Sequence, residues 1–242
     1  MKKLFAIVLF VLWAVPSNAQ KMVMQQRCEA QACAFSSWKP NRAGDLLVAI
    51  IRPTLKAPIP CETSPAGCGN SLYMVSDLNE NGWRRAYTSW TSEVWYALDA
   101  KPGTNIVGVM ASVGYGGAGE NSTGGDFSFD VVIAEYPPAL GLDSTSWGDY
   151  YKGEGDTWPR SGSLTATTSK TLLVGWSNNR AVNNGEGPLK LTPDSPEFTV
   201  ESDDGYLAVA DAMVFTPGSY SFSGEYNGYC LWTAGIVAFK MK

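Results

Sequence analysis

The chain has 242 residues, 45% hydrophobic and 12% aromatic, with 18 lysines and arginines against 23 aspartates and glutamates and no histidine. A net charge of −5 argues against nucleic acid, whose binding depends on clustered Lys and Arg. The missing histidine excludes Ser-His-Asp and Cys-His nucleophiles, His-ligated zinc or copper, and histidine acid–base catalysis.

The first segment reads MKKLFAIVLFVLWAVPSNAQ. Lys2 and Lys3 form a basic start, Leu4 to Val15 an apolar run, and Ser17-Asn18-Ala19 a small-residue cleavage site. This predicts a signal peptide over 1–19, a mature start at Gln20 and one domain over 20–242. The apolar run is shorter than the roughly 20 residues of a membrane-spanning helix. The expected product is therefore secreted, to the periplasm or outside the cell, with no membrane span. Cleavage would remove two lysines and no acid, leaving 16 bases against 23 acids and a net charge near −7.

In an exported chain, cysteines at close spacing read as disulfides. Pairing Cys28 with Cys33 and Cys61 with Cys68 would staple two loops and leave Cys230 free, although crossed pairings are equally allowed. Cys230 stands in the apolar run YCLWTAGIVAF, which predicts a buried, inert thiol.

Segments rich in Val, Ile, Thr and aromatics alternate with Gly, Pro and Asn clusters, a signature of strands. The spacing predicts strands over 45–52, 71–77, 82–89, 93–99, 104–113 and 126–136. Further strands are expected over 162–168, 171–177, 197–202, 205–215, 219–224 and 230–240. Asn81-Gly82 predicts a hairpin between the second and third of these, because both residues tolerate positive φ. Strands 45–52, 171–177 and 230–240 are apolar on both faces, as central strands are. No sustained 3.6-residue apolar period occurs, so little helix is expected. About a dozen short strands without helix predict an all-β fold. The expected architecture is a two-sheet antiparallel β-sandwich, jelly-roll-like or immunoglobulin-like.

The order AGDLLVAII, VSDLNENGWRRA, VWYALDAKPGTNIVGV, VVIAEYPP, TLLVGWSNN and LWTAGIVAFK resembles a loose group of exported bacterial β-sandwich modules. The resemblance spans most of 43–240 and implies a fold and an extracellular or surface setting, with no implied catalytic site. The chain departs from it at EYPP, at the Cys61–Cys68 insertion and in a long loop over 144–161.

That loop carries WGDYYKGEGDTW. Trp147, Tyr150, Tyr151 and Trp158 could stack on sugar faces, with Asp149 and Asp156 fixing hydroxyls. The bland alternative is that Trp147 and Trp158 pack back on the sandwich and anchor the loop. Asp143, Asp149, Glu154 and Asp156 are hard donors that could hold calcium, but their spacing fits no EF-hand, so no cofactor or metal is assigned.

Two acids stand on apolar strand faces. Glu135 continues the face of Phe127, Phe129, Val131 and Ile133, and Asp211 shares one with Leu207, Val209, Met213 and Phe215. Such a pair is what a glycosidase needs. The alternatives are that Glu135 reaches solvent at its strand end and that Asp211 pairs with Arg52 or Arg84. The sequence thus favours a non-catalytic protein binding extracellular carbohydrate. A structural or adhesive protein contacting surface proteins is the second expectation. A glycoside hydrolase using Glu135 and Asp211 is the third.

Overall fold

A computed structural model describes residues 22–30, 32–37, 39–53, 73–89, 91–111, 128–150, 156–181, 187–192, 196–228 and 230–242. The signal-peptide segment, Cys61, Cys68, Tyr151 and Glu154 lie outside the described residues. Along the chain come β1 (Met22–Cys28), β2 (Ala32–Ser36), β3 (Leu46–Pro53), β4 (Tyr73–Asp77), β5 (Arg84–Thr88) and β6 (Glu93–Ala97). Next are β7 (Ile106–Ala111), β8 (Phe129–Tyr136), β9 (Ala139–Tyr150), β10 (Leu164–Ala166), β11 (Thr171–Ala181) and β12 (Lys190–Leu191). The chain closes with β13 (Thr199–Asp203), β14 (Leu207–Val214), β15 (Gly218–Tyr220), β16 (Gly224–Glu225) and β17 (Cys230–Met241). No helix occurs among the described residues, so none there is long and apolar enough to cross a membrane.

Two five-stranded sheets, ordered β1-β8-β3-β6-β5 and β13-β14-β11-β17-β9, form the sandwich. Val48, Ile50, Val132 and Tyr136 of the first pack on Leu172, Val174, Trp176, Val209 and Phe239 of the second. The strands apolar on both faces, β3, β11 and β17, are each flanked on both sides, because each must bury two faces. Their second faces need cover, and the chain supplies it. Ala49, Ile51, Val131 and Ile133 lie under a three-stranded sheet, β2-β7-β4, which brings Phe35, Tyr73, Val75, Val107 and Val109. Leu173, Ala210, Ile236 and Ala238 lie under Leu164, Leu189, Phe222 and Tyr226. The last group comes from the short pairs β10-β15 and β12-β16 and their flanks. The sandwich is thus roofed on both sides.

The structure departs from several sequence expectations. The strands β1 and β2 were not expected, because Gln25, Gln26 and Arg27 interrupt the apolar alternation. β1 forms because Met24 and Cys28 face the core while its backbone pairs with β8, and β2 because Phe35 faces the same core while its backbone pairs with β7. Asn81-Gly82 does not make a hairpin: β4 pairs with β7, and β5 pairs with β6. The turn instead carries the chain between sheets, and positive φ falls on Glu80, at 53°. Asp77 organises it. Its carboxylate accepts from Asn81 N (2.9 Å) and Nδ2 (2.8 Å), Trp83 Nε1 (2.8 Å) and Asn105 Nδ2 (3.1 Å).

Candidate functional site

The first half of the expected 144–161 loop is strand. β9 runs to Tyr150 and pairs with β17 in the register Trp147↔Gly235, Asp149↔Thr233 and Tyr150↔Trp232. Thr, Trp and Tyr favour a pleated, half-buried surface, and the glycines that suggested a loop serve packing. A β-carbon on Gly148 would stand 2.4 Å from the Arg160 carbonyl oxygen, so the returning chain crosses β9 at that point.

β9 is an edge strand, and β5 is an edge strand of the facing sheet. Trp147 stands at this open side with 50% of its surface exposed. Its ring is 6.1 Å from that of Tyr87 on β5, and Tyr87 is 5.2 Å from the buried Trp176. Trp176 in turn donates Nε1 to Ser92 Oγ at 3.2 Å. Trp147 is therefore backed by a row of tilted rings, the innermost held by its hydrogen bond. Trp158 is 45% exposed. Asp156, just before it, accepts from Thr157 N (2.7 Å) and Trp158 N (3.3 Å), and its backbone pairs with Cys230.

Successive side chains on a strand point to opposite faces. Trp147 therefore looks toward Tyr87, while the chain after Trp158 crosses the Gly148 face. Asp149 is exposed, and the side chain of Tyr150 lies outside the described residues.

Sequence reasoning missed a polar cluster at the end of the sandwich toward which β9 runs. There Thr91 and Thr233 share a hydroxyl bond of 2.7 Å, and Asn178 Nδ2 donates to Thr91 O at 2.8 Å. Tyr226 and the buried Ser177 meet at 2.9 Å. Arg52 donates to Asp130 Oδ2 at 2.6 Å and to Asn179 O at 2.8 Å, with its guanidinium 5.1 Å from the Tyr206 ring centroid. Burial raises Asp130 above the ordinary carboxyl range despite Arg52. The signal was Ser177-Asn178-Asn179, polar residues continuing an apolar strand. These contacts lock the strand ends that support β9.

The two candidate catalytic acids do not meet. Glu135 is 3% exposed and does not reach solvent. Arg42 N donates to its Oε1 at 2.7 Å, and it bonds to Asp45, itself 5% exposed. Burial raises both carboxyls, and the Asp45 charge and hydrogen bond raise Glu135 further. Asp211 lies against the Tyr136 hydroxyl in the central layer. Arg52, one of the two arginines suggested for it, is committed to Asp130. Phe215 leaves the shared face and is exposed. Glu135 and Tyr136 are neighbours on one strand, so Glu135 and Asp211 are on opposite sides of a sheet. They cannot flank one glycosidic bond as a catalytic pair must.

Of the described acids suggested for calcium, Asp143 stands apart. Asp143 is about 20 Å along β9 from Asp149, at about 3.4 Å per residue. It accepts from Thr167 N and Oγ1 at 2.6 and 2.7 Å and faces Lys240 Nζ at 3.3 Å. Among the described residues no three His, Cys, Asp or Glu side chains gather as a metal would need. Cys28 and Cys33 form a disulfide. Cys230 is a buried free thiol, pushed up to about 12 by burial and by the Asp156 charge. No protein-family model, curated protein or solved structure matches this chain.

Proposed function

We propose that the protein is secreted and binds an extracellular polysaccharide without catalysis, through the aromatic edge around Trp147 and Trp158. The observation that carries this reading is Trp147, a half-exposed indole on an edge strand with the tilted rings of Tyr87 and Trp176 packed behind it. A preorganised flat apolar face binds a sugar ring without first ordering a side chain. The basic-apolar-small start of the chain and the Cys28–Cys33 disulfide suit an exported protein.

The test is retention of the mature protein on insoluble polysaccharides. Trp147→Ala and Trp158→Ala should each weaken retention about tenfold or more, since a buried aromatic surface contributes on the order of 1.5–3 kcal/mol. Retention unchanged in both variants would overturn the reading.

A second reading, a structural or adhesive surface protein, draws on a different feature. Met74 and Met110 are register partners on the outer face of the three-stranded sheet, and both are exposed, as is Leu78 beyond the strand end. Concentration-dependent oligomers or filaments in sedimentation, lost in Met110→Lys, would favour it.

A further inference from the structure

We infer that the β5–β9 edge selects anionic polysaccharides, with Arg84 receiving the carboxylate or sulfate of a sugar whose ring lies on Trp147. The inference rests on the polysaccharide reading above and adds the charge of the ligand and the residue that reads it.

The placement follows from a bulge. β5 pairs with β6 in the register Arg84↔Tyr96 and Tyr87↔Val94, with an irregularity between Arg85 and Tyr87. Val94, Tyr96 and Tyr87 all face the central layer. The extra residue therefore puts Arg84 on the same face as Tyr87, although they are three apart. Tyr96 packs edge-on against Phe239 at 5.5 Å, and Phe239 pairs with Leu142 of β9. Arg84 thus stands beside the 142–145 part of β9, before Trp147 along the strand. Asp149 stands on the Trp147 face just after it. The order along the edge is base, indole, acid.

Arg84 is among the described bases without an ion pair, as are Lys39, Arg160 and Lys190, and it is the one on the β5 face that carries Tyr87. Among the described bases, Arg52 is held by Asp130, Lys240 by Asp143, Lys242 by Asp99, Lys101 by Glu80 and Arg27 by Glu29. Arg84 is exposed, and no hydrogen bond or ion pair involves it among the described residues. Arg85 is also exposed but pairs with Trp95, which faces the opposite layer. A guanidinium matches the two oxygens of a carboxylate or sulfate in a fork. In an otherwise acidic chain, an uncommitted guanidinium beside a backed indole complements an acidic sugar. Asp149 would repel a second anion beyond the ring and accept hydroxyls instead, which sets the direction of the chain.

The experiment compares binding of the mature protein to polygalacturonate, dextran sulfate and neutral dextran in affinity electrophoresis at low salt. The wild type should bind at least one acidic polymer more tightly than dextran, and the tighter one identifies carboxylate or sulfate as the preferred group. Arg84→Gln should weaken acidic binding about tenfold, Arg84→Glu more, and Arg85→Gln should match the wild type. Equal binding of acidic and neutral polymers, or acidic binding unchanged in both Arg84 variants, overturns the inference and leaves the polysaccharide reading standing. Binding to none of these polymers, nor to the insoluble ones above, overturns both.

Discussion

Trp176 lies against the bare Cα of Gly235, its register partner on β17: a β-carbon there would stand 2.2 Å from the indole Cζ2. Gly235 also pairs on its other side with Trp147. One missing side chain therefore lets the buried indole lean across its neighbour strand toward the edge, where Tyr87 joins it to the exposed one. Adding that β-carbon is expected to cost about 1–3 kcal/mol, the usual range for overpacking a core. For a chain of this size, the melting midpoint falls by about 2–4 °C per kcal/mol. Thermal unfolding of Gly235→Ala checks this, and an unchanged midpoint would show that the stack has room to spare.

The Arg52–Asp130 pair has partners of which only 11% and 3% of the side-chain surface is exposed. Removing one charge from such a pair strands the other, at about 3–5 kcal/mol, whereas apolar replacement of both is often close to neutral. Asp130→Asn should therefore unfold at much lower denaturant than the wild type, and Arg52→Met with Asp130→Leu should recover most of the loss. A double variant no better than the single one would show that the Arg52 contacts to Asn179 and Tyr206 matter more than the ion pair.

Stability should change with pH in a definite direction. Burial raises Asp45, Glu135, Asp130 and Asp203 above the ordinary carboxyl range, so the folded chain holds protons that the unfolded chain has released. Their contribution is fully present below about 4, the unfolded value, and is lost as pH rises through the higher folded values. Asp77 and Asp143 behave oppositely. Burial opposes their charge, but hydrogen bonds from Asn81, Asn105 and Trp83 hold Asp77 down, and Thr167 and Lys240 hold Asp143 down. Their contribution is present above about 4 and lost as pH falls through their lower folded values. Denaturant midpoints measured from pH 4 to 7 should decline for the wild type. Asp45→Asn with Glu135→Gln, which keeps a neutral hydrogen bond, should decline less. Identical slopes would show that burial of this pair does not set the pH dependence.

Much of the framework was legible because strand signals are local. Apolar residues at alternate positions in β8 and β14 marked core-facing sides, and the double-sided runs of β3, β11 and β17 marked strands needing neighbours on both sides. Cys28–Cys33 was one of several pairings the spacing allowed, and only the close approach of the two strands selected it. β9 was not legible, because Gly141, Gly148 and a polar run look like loop. Their purpose appears only when Arg160 is seen crossing Gly148. The Asn81-Gly82 turn misled for a related reason: its residues describe a tight reversal but not which sheet the next strand joins.

The candidate site divides in the same way. Composition alone established an acidic, histidine-free, strand-rich chain with a signal-like start and an aromatic segment around 147–158, since these depend only on residue type and short-range order. Tertiary structure decided that Trp147 would be backed by Tyr87, that Arg84 would share the Tyr87 face of β5, and that Glu135 and Asp211 would lie on opposite sides of a sheet. Those outcomes depend on which sheet edges meet and where a bulge shifts the register. Such pairings join residues far apart in the chain, and no local pattern encodes them.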